Sequence, residues 1–122
     1  MVTVLFVMSA AGLASLVQLA PAGSANMKNK MEGNVRARMA GAKLYQRECA
    51  ACHGMNREGT GKAPGLDSAE VREAAPGALF WVLRNGSVRR GMPSFAHLPE
   101  AQRWQIVTYL HESVPDRSAY AK

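Results

Sequence analysis

The sequence predicts an all-α protein of about four short helices joined by long irregular loops. Three observations point there. No stretch of useful length alternates apolar and polar residues as a half-buried strand would. Several segments carry apolar side chains at helical spacing between residues that start and stop helices. The segments between them are dense in glycine and proline, as in Gly54 to Asp67 and Gly91 to Pro93.

The first element is an uncharged apolar run, "MVTVLFVMSAAGLASLVQLAPAGSA", over residues 1–25. It reads as an export signal with small-residue cleavage options after Ala22 or Ala25, or as an uncleaved N-terminal membrane anchor. Val2 to Ala20 approaches the ~20 apolar residues that span a bilayer, although no Lys or Arg precedes it. Either way the protein is expected outside the cytoplasm, in the periplasm. Removal of the segment would leave about 97 to 100 residues. That is one domain, with a modest core that benefits from a staple or a cofactor.

Residues 26–35 read as a basic linker. Across Asn26 to Lys43, Lys28, Lys30, Arg36, Arg38 and Lys43 face only Glu32, and the whole chain carries a net charge of +6. Basic clusters suit nucleic acid, anionic lipid head groups or acidic proteins. An exported domain with no nucleic-acid reading module excludes the first.

The folded part is expected over residues 36–116. A first helix runs from about Arg36 to Cys49, with Ala42, Leu44 and Tyr45 among its apolar positions. A short helix in "SAEVREAA" has Ser68 as its cap. "PGALFWVLRNG" places Pro76 at its start and Gly86 past its end, and Leu79, Val82 and Leu83 share a face. The last helix, "PEAQRWQIVTYLHES", repeats Trp104, Val107 and Leu110 at helical spacing, and Pro115 stops it. Residues 117–122 form a tail.

The chemistry lies in "ECAACHGMN", which holds both cysteines of the chain, Cys49 and Cys52, with His53 directly behind. Four explanations compete. A disulfide would close so short a loop that it adds little stability. A dithiol switch is expected in a βαβ context, which is absent here. A structural zinc site needs four ligands, and His97 and His111 have no matching spacing. Cys-x-x-Cys-His is the attachment signature of c-type haem, and it fits best. Thiols near one helical turn apart reach the two haem vinyl groups, and the next residue offers its imidazole to the iron.

A six-coordinate iron takes a second axial ligand. Met55 is too close to His53 to reach the opposite face, and Met27, Met31 and Met39 precede the attachment helix. Met92 sits in "RRGMPSF", between Gly91 and Pro93 and far from His53 in sequence, so it is favoured; His97 is its rival.

These residues resemble those of class I cytochromes c, in particular the small monohaem bacterial domains. "GAKLYQRECAACHG" is similar to that family's N-terminal helix and attachment motif, "LRNGSVRRGMPSF" to its axial-methionine loop, and "EAQRWQIVTYL" to its terminal helix. The resemblance implies a small bundle wrapped around one covalently attached haem, with Cys49 and Cys52 as thioether anchors. It implies His53 as the proximal and Met92 as the distal iron ligand. Pro64, in "GKAPGL", would accept a hydrogen bond from the proximal imidazole through its carbonyl. Gly41 and Tyr45 match a pattern that lets the first helix cross the last one closely, with Tyr109 opposite. Trp81 and Arg84 would approach the haem edge.

The function implied is one-electron transfer through the haem iron, without substrate chemistry, in a respiratory or quinoprotein dehydrogenase chain. Expected partners are redox proteins with acidic docking surfaces: a dehydrogenase, an oxidase or a cytochrome bc-type complex. The alternative is a haem-based ligand-binding or sensor protein with a displaceable sixth ligand. A peroxidase is disfavoured, because neither a second haem motif nor a distal acid–base pair is evident.

Overall fold

A computed structural model describes residues 16–112. The first part of the apolar N-terminal run, Pro115 and the tail 117–122 lie outside the described residues. Six helices are present, with no strand among the described residues: α1 (Leu16–Leu19), α2 (Val35–Glu48), α3 (Ala50–His53), α4 (Ala69–Glu73), α5 (Pro76–Asn85) and α6 (Glu100–Glu112). The all-α class is thus borne out. The four helices read from the sequence correspond to α2, α4, α5 and α6.

Two of the helices start where a side chain accepts from a first-turn backbone donor. The Asn34 side chain accepts from Ala37 N at 3.0 Å and opens α2. Ser68 Oγ does the same for α4, accepting from Val71 N at 3.3 Å. α5 begins on Pro76, whose missing N–H costs nothing in a first turn. Of the short α5, Ala78, Leu79, Phe80, Val82 and Leu83 are all buried, so it is enclosed on most sides rather than lying on the surface.

The longest helices, α2 and α6, form the most extensive contact of the fold. α2 presents Ala37, Gly41, Leu44 and Tyr45, spaced by helical steps on one stripe. α6 answers with Ile106, Val107 and Leu110. Tyr45, Ile106 and Val107 are wholly excluded from solvent. At the crossing the helices touch backbone to backbone. A Cβ on Gly41 would overlap the carbonyl oxygen of Gln105 and come within 2.8 Å of Tyr109 Cβ. Beside this contact, the Tyr45 and Tyr109 rings lie 5.3 Å apart at 58°, a tilted aromatic pair. At the other end of α6, Trp104 stacks on Phe80 of α5 at 4.0 Å.

The stretch read as a basic linker is seated on the helices. Lys28 and Lys30 are exposed, but Asn29 between them is buried. Its Nδ2 donates to Thr108 Oγ1 at 2.8 Å, and its Oδ1 accepts from Met31 N at 2.9 Å. A single polar residue in a charged run has no periodicity to betray such burial. Upstream, α1 and a 3-10 turn at Ala22–Asn26 pack against α5.

Gly41→Ala gives a direct measure of the α2–α6 crossing. Alanine gains about 1 kcal/mol of helix propensity over glycine. The overlap with a backbone atom, which no rotamer relieves, outweighs that gain. We expect a net loss of about 1–3 kcal/mol, read from denaturant midpoints of the haem-loaded protein, with the m-value unchanged.

Candidate cofactor site

The attachment motif lies at a helix junction. α2 ends at Cys49, whose N–H still donates to Tyr45 O at 2.8 Å, and the single turn of α3 follows at once. Within it, Cys52 N and His53 N both donate to Cys49 O, at 3.2 and 2.9 Å. Both cysteines and the histidine therefore belong to one helical turn. Both cysteines are free thiols, Cys49 buried and Cys52 exposed. Burial pushes the Cys49 thiol up to about 12, with the neighbouring Glu48 carboxylate acting in the same direction. Among the described residues, no three His, Cys, Asp or Glu side chains gather into a metal site, so the zinc explanation has no ligand set there.

The glycine-rich loop after α3 folds back over His53. Gly59 N donates to His53 O at 2.7 Å, and Thr60 Oγ1 donates to Cys52 O at 2.6 Å. Thr60 N closes on Ala63 O at 2.9 Å, directly before Pro64. The Pro64 carbonyl oxygen then lies 2.7 Å from His53 Nδ1. A carbonyl oxygen only accepts, so Nδ1 carries the hydrogen, and in the neutral imidazole Nε2 then keeps its lone pair. That is the tautomer an iron ligand requires, with the ring oriented by its other nitrogen.

Met92 occupies a second loop, between α5 and α6. Ser87 and Met92 pair through two backbone hydrogen bonds of 2.9 Å, forming an isolated antiparallel bridge around a 3-10 turn at Val88–Arg90. Gly91, in the left-handed region at φ 78°, reverses the chain there. Ser94 Oγ donates to Arg84 O, and Phe95 N donates to Leu83 O at 2.8 Å, tying the loop to α5. Met92 is half-buried and packs against the core cluster that includes Cys49, Leu79 and Phe80, as does Leu66. Its rival His97 is exposed, as are Met27, Met39 and Met55. Trp81 is half-buried, and Arg84 is exposed on the last turn of α5.

The residues present fit a covalently attached haem. Two free thiols share a turn with an imidazole held in the ligating tautomer, and a thioether sulfur is packed in the same apolar cluster. Sequence reasoning passed over two contributors. Thr60 carries a weak signal, a hydroxyl within a glycine-rich loop. Arg57, buried in that loop, carries none.

Comparisons with known proteins agree with the fold. Residues 36–110 match the family model described as cytochrome C oxidase, cbb3-type, subunit III. Among solved structures, the fold is similar to cytochrome CL from the marine methylotrophic bacterium Methylophaga aminisulfidivorans MPT. The TM-score is 0.60 at 24% identity, covering 70% of this chain and 58% of that one. The chain thus spans little more than half the length of that protein. A comparison with curated proteins finds no match. The chain belongs to the matched family of c-type cytochrome domains, electron carriers with a covalently bound haem c.

Proposed function

We propose that this domain is a one-electron carrier whose haem is anchored through Cys49 and Cys52 and held between His53 and Met92. The observation that carries the reading is the 2.7 Å contact between His53 Nδ1 and the Pro64 carbonyl, on the same turn as both thiols. When bound, haem c supplies a couple between Fe(III) and Fe(II). The chain's own residues set how that couple behaves. Pro64 fixes the imidazole and increases its basicity. Met92, a soft thioether, favours the reduced state relative to a second histidine. The cluster around Leu66, Leu79 and Phe80 would keep water from the cofactor.

The apolar run at residues 1–25 and the basic charge support a cellular setting. The domain works in the periplasm, soluble or tethered through residues 1–25, in a respiratory or quinoprotein dehydrogenase chain. No helix among the described residues is long and apolar enough to cross a membrane. The family description favours association with an oxidase; the cytochrome CL likeness shows the fold alone. Between Ala74 and Pro99 the chain has no acidic residue, while Arg84 and Arg89 are exposed beside the Met92 loop. A surface of that sign attracts acidic redox partners.

The reading is tested by coexpression with the haem c maturation machinery. We expect haem that survives a denaturing gel and a weak sulfur-to-iron band in the oxidised spectrum. Tight CO binding to the reduced protein, without denaturant, would instead indicate a displaceable sixth ligand and a sensor.

Two outcomes test the individual assignments. Met92→His should abolish the sulfur-to-iron band and lower the midpoint potential by about 0.1–0.3 V, within the ~0.8 V that axial ligands command. His97→Ala should leave both unchanged. Oxidation of the reduced protein by hexacyanoferrate(III), followed by stopped flow, should slow as salt shortens the Debye length to ~8 Å at 0.15 M. Arg84→Glu combined with Arg89→Glu should flatten that salt dependence.

A further inference from the structure

We infer that Arg57 is a positioning residue, transmitting the α2–α6 crossing to the Pro64 carbonyl and hence to His53. Among the described residues it is the one non-glycine residue with positive φ, at 63°. It is also an arginine with only 6% of its surface exposed. Left-handed backbone in a bulky residue persists only where its surroundings over-determine it. Here both its backbone and its side chain are held.

The backbone organises the loop. Arg57 O accepts from Leu66 N at 2.8 Å and from Asp67 N at 3.2 Å, while Arg57 N donates to Gly54 O at 3.3 Å. The first pair pins the chain two and three residues beyond Pro64. The last bond ties the same residue to the end of α3, one position after His53. The two partners of the histidine contact are therefore fixed against a single residue.

The side chain connects that residue to the helices. The guanidinium lies 4.9 Å from the centre of the Tyr109 ring on α6, a cation–π geometry. Tyr109 packs on Tyr45 of α2, and Tyr45 Oη donates to Gly54 O at 2.7 Å. A closed path thus runs from the helix crossing through Tyr109, Arg57 and Leu66 to Pro64. A second branch returns through Tyr45 and Gly54 to His53.

The inference rests on His53 as the iron ligand, so it is tested in protein already shown to carry covalent haem. The readouts are hydrogen–deuterium exchange of the His53 Nδ1 proton, followed by NMR, and the midpoint potential. Tyr109→Leu removes the platform without changing charge. It should speed exchange about fivefold, the change expected from losing one ordinary hydrogen bond's net worth, and should raise the potential as the imidazole becomes less electron-rich. Arg57→Gln should accelerate exchange similarly, and Tyr109→Phe should retain the native values. If Tyr109→Leu does not fold, Arg57→Gln decides by exchange alone. Native exchange in folded, haem-loaded Arg57→Gln overturns the inference and leaves the electron-carrier reading intact. Absence of covalent haem in the unsubstituted protein strikes that reading itself, and the inference falls with it.

Discussion

Backbone contact between Gly41 of α2 and Gln105 of α6 sets the distance between the two longest helices, and the cofactor side of the molecule inherits its geometry from that distance. With the helices so close, Tyr45 is fully excluded from solvent and meets Tyr109. A buried phenol hydroxyl requires an acceptor, and the nearest one formed by the fold is Gly54 O, the carbonyl next to His53. Burial pushes the Tyr45 phenol well above its ordinary range. The group therefore stays a donor across physiological pH, and the bond to Gly54 does not titrate away. A van der Waals constraint at one residue thus becomes a hydrogen bond at the attachment motif.

The same economy governs the buried Asn29–Thr108 pair. Asn29 and Thr108 satisfy each other inside the arm–helix contact, and Thr108 Oγ1 also donates back to Trp104 O at 2.8 Å. Arg103 lies buried with its Cζ 4.7 Å from the Phe80 ring and its Nε donating to Leu98 O at 3.3 Å. Stacking on an aromatic face suits guanidinium, which is weakly hydrated and tolerates partial desolvation better than an ammonium. Arginine in the interior of this small domain acts as a flat, adhesive side chain, at Phe80 as at Tyr109.

Local signals made the helices and the motif legible in the sequence. Ser68 and Gly86 mark helix ends through bonds to near neighbours, Pro76 does so through its fixed φ, and Cys49, Cys52 and His53 are fixed by a single turn. Met92 stood out because Gly91 and Pro93 flank it. Legibility failed where the partner is distant along the chain. Asn29 bonds a residue 79 positions away, and Arg57 reaches Tyr109 across the fold. No spacing rule encodes such a pair, so a basic stretch reads as a linker and Arg57 carries no signal at all. Gly41 is the intermediate case. Its close approach is a long-range fact, expected from the sequence only through the family resemblance.

This division between local and distant determinants matches what a covalently attached cofactor demands. The attachment residues must be organised by the motif itself, and one turn of helix suffices for that. In the proposed ligation, the properties of the iron would depend on fine placement of His53 and Met92, which short loops alone hold poorly. The fold supplies that placement by tying each loop to a rigid helix. Ser94 and Phe95 fasten the Met92 loop to α5, and Arg57 stacks the Pro64 loop on α6. α5 and α6 in turn pack on each other through Phe80 and Trp104. The two loops therefore share one helical frame, and a shift of either helix would alter both ends of the proposed ligation together.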